Sequence, residues 1–382
     1  MKLLKFLHFS DLHLDMPFTS MGPGSKRAAS RRQDLLDVFD SIVSLAQKEA
    51  VDVILISGDL YEHNYIKKST ISYINKKFSG INPIKIFIVP GNHDPYINNS
   101  YYKNFEWSSN VFILSQDRPY VVLEDISACI YGIGFSNFYE EKLDLTNIKS
   151  TDNKLFNLML IHGTVDMNFG NNMYNPVASA ELAGLSMDYI ALGHFHNRMD
   201  NIGRRGVIYN PGSPEPLGFD EEGEHGIYLG TIEKISESDK KLSVSFIPTG
   251  KKQYISLEIR SDAFCSNQEV IDRINNITGD IKGTGYMVSV TLKGYVEPGY
   301  RVNTAKIINL LNNSFFYIDV KDETLPLYNY GELANDPGIK GIFVKKMLTL
   351  INNAGSEKER HLLRKSLYYG IEALEQGRVE IV

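Results

Sequence analysis

Cysteine is nearly absent from this chain of 382 residues; only Cys129 and Cys265 occur. Two thiols cannot build a disulfide framework, and nothing in them argues for export, so a reducing cytoplasm is the expected compartment. Long apolar runs are missing as well. The opening MKLLKFLHFSDLHL mixes lysines with apolar residues, but His8, Ser10 and Asp11 break it before it reaches the length of a signal-peptide core or a membrane span. It reads as a strand of the mature protein, and no membrane partner is expected. The third absence is a basic excess. A net charge of -6 does not suit a free-standing nucleic-acid binder, so any nucleic-acid role rests on a local basic surface, on bound metal ions or on a partner.

What remains is the composition of an ordinary folded protein, 43% hydrophobic and 23% charged, with length enough for two domains. The first half alternates two periodicities. Residues 3–9 form an apolar run, and residues 31–46 carry Leu35, Leu36, Phe39, Ile42, Val43 and Ala46 at helical spacing. VDVILIS at 51–57 is almost wholly apolar and rich in β-branched residues, the mark of a strand covered on both faces. A helix is expected over 69–78 and a buried strand over 84–89. Further strands are expected over 128–133, 155–161 and 189–192, the last after a helix-like stretch at 177–183. Strands alternating with helices predict an α/β layered domain.

Polar residues of ligand type follow each buried strand. Asp11-Leu12-His13 comes after the first, Gly58-Asp59 after the second and Gly91-Asn92-His93-Asp94 after the third; His162-Gly163 and Gly193-His194-Phe195-His196 follow later ones. In an open α/β sheet the carboxyl ends of the strands are where binding sites form. Five of the nine histidines, His13, His93, His162, His194 and His196, fall on these ends. The two-residue spacing of Asp11 with His13, and of His194 with His196, would put each pair on one face of an extended chain. Glycines at 58, 91, 163 and 193 permit sharp exits and close backbone approach. Asp11, His13, Asp59, Asn92, His162, His194 and His196 together offer seven nitrogen and oxygen donors. That is more than one tetrahedral ion needs, and the lack of cysteine argues against structural zinc. Two ions sharing one carboxylate fit the count, the arrangement suited to phosphoester chemistry.

In order and spacing these pieces resemble the signature of the calcineurin-like metallophosphoesterases: D-x-H, G-D, G-N-H-[DE], a lone H and G-H-x-H. The resemblance implies a four-layer α/β/β/α sandwich and two divalent ions, manganese by preference. By the same resemblance Asp11, His13, Asp59 and His196 would hold the first metal, and Asp59, Asn92, His162 and His194 the second, with Asp59 bridging. His93 would not be a ligand but would stabilise or protonate the leaving oxygen, with Asp94 orienting its ring. The nearer resemblance is to the SbcD-type DNA repair nucleases and their YhaO-like relatives. It is carried by FSDLHLD, by GDLY, by VPGNHD, and by GHFHN followed by Tyr209-Asn210-Pro211-Gly212-Ser213-Pro214, and it covers roughly residues 1–230. One position departs from it. Several relatives place a substrate-contacting histidine three residues after the bridging aspartate, where this chain has Glu62; the imidazole stands one further on, at His63, a candidate for phosphate binding.

Beyond Ser213 two strands, 225–233 and 242–247, are expected to form a hairpin joined by the polar segment 236–240, with a boundary near Lys251. Residues 251–330 read as a small α+β module, by resemblance a cap over the substrate groove. Residues 331–382 read as a helical tail. Its second helix carries Leu362, Leu363, Leu367, Tyr368, Ile371 and Leu374, which could grip an SbcC-like coiled-coil ATPase, as in the relatives, or pack on the chain's own cap. His8 reads as a satisfied core histidine, and His225 and His361 as packing or surface residues. Arg31 and Arg32 could steer a phosphate backbone, although a charge pair opening a helix is usually only solvated. Tyrosines of the loop 95–107 could stack bases, although packing within the loop is commoner. The expected function is a metal-dependent DNA nuclease subunit of repair, exonuclease or endonuclease, acting on DNA with an ATPase and dimerising as its relatives do. The alternative is a phosphodiesterase or phosphatase for a small molecule or phosphoprotein.

Overall fold

The computed structural model describes residues 2–376 apart from 23, 140–144, 146–147, 149–151, 167–173, 204–205 and 237–238. The tip of the expected hairpin, 237–238, and the last six residues of the tail therefore lie outside the described residues. Two compact units divide the chain, Met1–Ile255 and Ser256–Val382.

The first unit begins with β1 (Lys2–Phe9), α1 (Lys26–Lys48), β2 (Val53–Ser57), α2 (Lys68–Ser79), β3 (Lys85–Val89), α3 (Tyr101–Asn104) and β4 (Val111–Ile113). It continues through β5 (Tyr120–Leu123), β6 (Ala128–Ile133), β7 (Phe156–His162), α4 (Ser179–Ala183), β8 (Tyr189–Gly193), β9 (Met199–Ile202), β10 (Ile208–Asn210), β11 (Gly226–Lys234) and β12 (Lys240–Pro248). These strands make two six-stranded sheets, ordered β12-β11-β1-β2-β3-β4 and β5-β6-β7-β8-β10-β9. Pairing is parallel from β1 to β4 and from β6 through β7 and β8 to β10, with antiparallel strands at the margins.

The period of two along each central strand sorts its side chains into two cores. Leu4, Phe6, Val53, Leu55, Phe87 and Val89 of the first sheet meet Phe156, Leu158, Leu160, Tyr189 and Ala191 of the second. The alternate residues Leu7, Phe9, Ile54, Ile56, Ile86 and Ile88 face the apolar stripes of α1 and α2. Met159, Ile161, Ile190 and Leu192 pack outward beneath Leu182 of α4. The layers thus run helix, sheet, sheet, helix, the expected α/β/β/α sandwich. Ser25 caps α1 by accepting from the Ala28 amide. Among the described residues no helix is long and apolar enough to cross a membrane, and both cysteines are free.

The second unit takes β13 (Gln253–Phe264) from Ser256 onward, then α5 (Asn267–Thr278), β14 (Gly283–Val296), α6 (Thr304–Leu311), β15 (Phe315–Asp322) and β16 (Leu325–Pro326). Its sheet runs β13-β14-β15, with β16 paired to β14, and its core joins Val288, Val290 and Leu292 to Ile271 and Ile274 of α5 and Ile307 and Leu311 of α6. α7 (Tyr330–Ala334), α8 (Ile339–Asn352) and α9 (Glu357–Gln376) follow. α9 buries Leu367 and Ile371 against Val344, Met347 and Ile351 of α8, while Leu362 and Leu374 stay exposed.

Candidate metal centre

Both sheets send the carboxyl ends of their parallel strands to one place. Backbone hydrogen bonds tie the ends together: Asp11 N donates to Gly58 O (3.1 Å), His13 N to Asp59 O (3.0 Å) and Gly163 N to Gly193 O (3.3 Å). The His194 amide donates to the Asp11 carboxylate across the two sheets, 3.1 Å to each oxygen. His162, the last residue of β7, shares the face of Phe156, Leu158 and Leu160, so its ring closes the end of the core between the sheets. A Cβ on Gly58 would lie 2.3 Å from its Nδ1, which is why the turn after β2 needs glycine.

The expectation of an extended Asp11-x-His13 is corrected. β1 stops at Phe9, and Asp11 and His13 sit in left-handed backbone at φ 55° and 48°, as does Asp59 at 51°; His194 has φ 103°. Turns, not strand alternation, bring Asp11 and His13 to the same centre. Positive φ in four non-glycine residues is costly, about 1–3 kcal/mol each, and such strain gathers at functional sites.

The seven side chains expected as donors lie together. His13 Nε2 lies 3.6 Å from Asp59 Oδ2 and 3.3 Å from His196 Nε2, and His196 Nε2 lies 3.9 Å from Asp11 Oδ1. On the other side of Asp59, His162 Nε2 is 3.3 Å from the same Oδ2 and 3.0 Å from Asn92 Oδ1, which is also 3.2 Å from His194 Nδ1. Asp11, His13 and His196 form one potential cation cluster, Asp11, Asp59 and His162 another, and His13, Glu62 and His93 a third.

Hydrogen bonding at the far ring nitrogens decides what these near ones are. His162 Nδ1 donates to Ser57 O at 2.7 Å, so its Nε2 presents a lone pair to an amide oxygen and a carboxylate. His13 and His196 have Nδ1 against Glu62 (2.7 Å) and Glu221 (2.6 Å), which turns the Nε2 atoms of the two rings toward each other at 3.3 Å. Acceptors turned on acceptors at about 3 Å require a positive charge between them. Protons meet the need in part: Asp59 and Glu221 outweigh burial and raise His162 and His196 to about 9. Burial and the neighbouring His162 lower His194 to about 3, keeping its ring neutral. Burial favours a neutral Asp59, but His162, His13 and His93 hold it well below the ordinary carboxylate range. Two divalent ions fit this donor set.

His93 stands beside the cluster with a half-exposed ring, 4.8 Å from the His13 ring. Its expected partner is wrong. The buried Asp94 carboxylate accepts instead from the amides of Asp59 (3.1 Å), Leu60 (2.7 Å) and Gly91 (2.6 Å) and from the Tyr102 hydroxyl (2.6 Å). It is spent on the turns that carry Asp59 and Asn92 and cannot also reach the His93 imidazole. Glu62 takes that place: its carboxylate, 2.7 Å from His13 Nδ1, is 3.1 Å from His93 Nδ1. Burial would raise Glu62, but the two histidines outweigh it and hold the carboxyl at about 2. His93 in turn is lifted to about 9 against the opposing effect of burial, Glu62 and Asp59 supplying the charge. His63 is not part of the cluster; its ring lies edge-on to Phe138 and its Nδ1 has no hydrogen-bond partner.

Other expectations sort the same way. His8 is a core histidine, bonded to the Tyr189 hydroxyl (2.8 Å), Leu192 O (3.1 Å) and Ser57 Oγ (3.0 Å). Arg31 cannot steer a phosphate backbone, because it is fully buried and paired with Glu215 and Asp34. The 95–107 loop packs on itself, Tyr102 lying against Tyr61 and Trp107. His225 is buried among Ser213 and the Glu221 carbonyl. Glu221, which holds His196, carries no signal in the sequence, since it lies 25 residues away in a loop.

The family model for calcineurin-like phosphoesterases matches residues 4–198. The chain is 27% identical over 235 residues to the uncharacterized metallophosphoesterase YhaO of Bacillus subtilis, a match covering 59% of this chain and 57% of YhaO. It is 25% identical over 286 residues to the DNA double-strand break repair protein Mre11 of Saccharolobus solfataricus, 71% of each chain. With the SbcD component of the nuclease SbcCD of Staphylococcus epidermidis it shares 23% over 224 residues, 51% of this chain and 57% of that one.

Proposed function

The chain belongs to the calcineurin-like phosphoesterase family, and from that premise we propose that it is a two-metal phosphodiesterase that cuts DNA, the nuclease subunit of a repair complex. The observation that carries the two-metal reading is Asp59, a buried carboxylate whose Oδ2 stands between His13 and His162 while Oδ1 accepts from the His93 amide at 2.8 Å. The first ion would take Asp11, His13, Asp59 and His196; the second would take Asp59, Asn92, His162 and His194. Two divalent ions there, manganese by preference, would supply an activated water and neutralise phosphoryl oxygens.

The residues around them do the rest. His93, charged through Glu62, donates a proton to the leaving oxygen, and Glu62 holds the ring by Nδ1 so that Nε2 is the donating atom. Asp94 fixes the turns of Asp59 and Asn92. His63, whose Nδ1 has no hydrogen-bond partner, is the candidate for contact with the substrate phosphate. DNA is favoured by the names of two relatives, a double-strand break repair protein and a nuclease component. The segment 251–330 then serves as a cap that shapes a groove for DNA, and the exposed apolar residues Ile339, Ile342 and Leu362 of the tail as the grip for an SbcC-like ATPase, in a cytoplasmic complex that includes a second copy of the chain.

A second reading, a phosphodiesterase or phosphatase for a small molecule or phosphoprotein, is favoured by one feature. An open cavity of about 630 Å³ is lined by Asn197, Arg198, Phe219, Asp220, Glu222 and Glu224, three of them carboxylates that would repel a polyanion. The test is cleavage of end-labelled single- and double-stranded DNA with manganese, beside bis-p-nitrophenyl phosphate, with Asp59→Ala as control. DNA cutting that the control abolishes supports the nuclease; hydrolysis of the small diester alone moves the substrate to the second reading.

A further inference from the structure

His196 is held by a segment that lies beyond the residues matched by the family model. The family match ends at residue 198, yet the chain from Asn210 to Glu221 wraps the Gly193–His196 turn. Asn210 Nδ2 donates to Phe195 O (2.7 Å) and Asn197 O (3.0 Å), and Ser213 N donates to His196 O (2.9 Å). Gly212, at φ 75°, passes so close that a Cβ would lie 2.3 Å from His196 O. The same segment then reaches round to the ring, where Glu221 Oε1 is 2.6 Å from Nδ1. Glu221 is itself fixed. Its Oε2 accepts from the Ser213 hydroxyl (2.7 Å) and the Leu217 amide (3.0 Å), the carboxylate is buried, and His225 Nε2 lies 3.1 Å from its carbonyl.

We infer that Glu221 is a positioning residue for the metal centre: it fixes the Nδ1–H tautomer of His196, so that Nε2 presents its lone pair to the ion held with Asp11, His13 and Asp59. This rests on the two-metal reading and adds to it a specific residue and a specific ion. A carboxylate behind a ligating imidazole fixes its tautomer and its angle and raises its basicity, and losing such a partner typically lowers metal affinity by about 10–100-fold. Glu62 stands in the same relation to His13. Glu221 bonds His196 alone among the proposed ligands, so its effect falls on one ion.

Calorimetric titration of the full-length, metal-free protein with manganese(II) tests the inference. The wild-type chain binds two ions. Glu221→Ala binds one of them about 10–100-fold more weakly and leaves the other within about twofold. Glu221→Gln, whose amide oxygen still accepts from Nδ1–H, recovers most of the loss. If Glu221→Ala does not fold, Glu221→Asp carries the same expectation, because its shorter side chain withdraws the oxygen from Nδ1 while keeping the charge. Wild-type affinity for both ions in the folded variant, or equal weakening at both, overturns the assignment of Glu221. A wild-type protein that binds no pair of ions overturns the two-metal reading itself.

Discussion

His93 gives the sharpest prediction at the scale of a residue, because its ring stands 4.8 Å from that of His13 while its proposed role is separate from metal binding. Its Nδ1 meets Glu62, and it is not among the seven proposed ligands. His93→Ala should keep both manganese ions while turnover falls by about 10²–10⁴-fold, the usual worth of a positioned general acid; metal content by elemental analysis beside kcat checks it. Loss of metal in that variant would contradict the assignment. His8 gives a second prediction. Burial lowers its pKa to about 3, whereas in the unfolded chain it titrates near 6.5. The unfolded state therefore binds the proton first, and stability that is full above about pH 6.5 is lost as pH falls toward 3, at about 1.4 kcal/mol per unit. His8→Gln should be less stable than wild type at pH 7.5 but lose about 2 kcal/mol less on going to pH 5.0, read from urea midpoints. The sequence shows the seven ligand-type residues because each ends a buried strand, a pattern visible without coordinates. Glu62 and Glu221 escape it because their partners lie 49 and 25 residues away, and no local spacing encodes such contacts.

Among the elements, the long buried strands and amphipathic helices follow directly from the sequence, since each satisfies a period over five or more residues. The expected helix over 69–78 is α2 (Lys68–Ser79), and the expected strand over 128–133 is β6. The short pieces β4, β9, β10, β16, α3 and α7 do not show in the sequence, because two to five residues cannot display a period. The helix-like stretch 177–183 shortens to α4 (Ser179–Ala183). The arginine pair of α1, weighed as steering a phosphate backbone against plain solvation, is bonded within the fold, Arg32 to Pro17 O at 3.2 Å. Arg31 points inward and bonds Glu215, Asp34 and the Pro216 carbonyl, tying α1 to the loop that carries Glu221. Both side chains of the Arg31–Glu215 pair are inaccessible, so Arg31→Ala leaves a buried carboxylate without its cation. Such a break costs about 3–5 kcal/mol, and urea denaturation should register most of it. A loss under about 1 kcal/mol would mean the pair is neutralised in some other way.

For the whole molecule, the division at Ile255/Ser256 places every candidate ligand, His93 and both supporting glutamates in the first unit. The second unit brings no ligand cluster among the described residues. A chain ending at residue 255 is therefore expected to bind manganese and hydrolyse bis-p-nitrophenyl phosphate at close to the full-length rate, while cutting DNA more slowly for want of the cap. Equal DNA cleavage by the two would remove the role proposed for the second unit. The central claim, two ions bridged by Asp59 at the strand ends, is tested most directly by anomalous diffraction at the manganese edge from crystals of the loaded protein. The account predicts two peaks about 3.5–4 Å apart, with Asp59 between them, His13 and His196 on one and His162 and His194 on the other. A single peak, or two peaks that do not share Asp59, would contradict it.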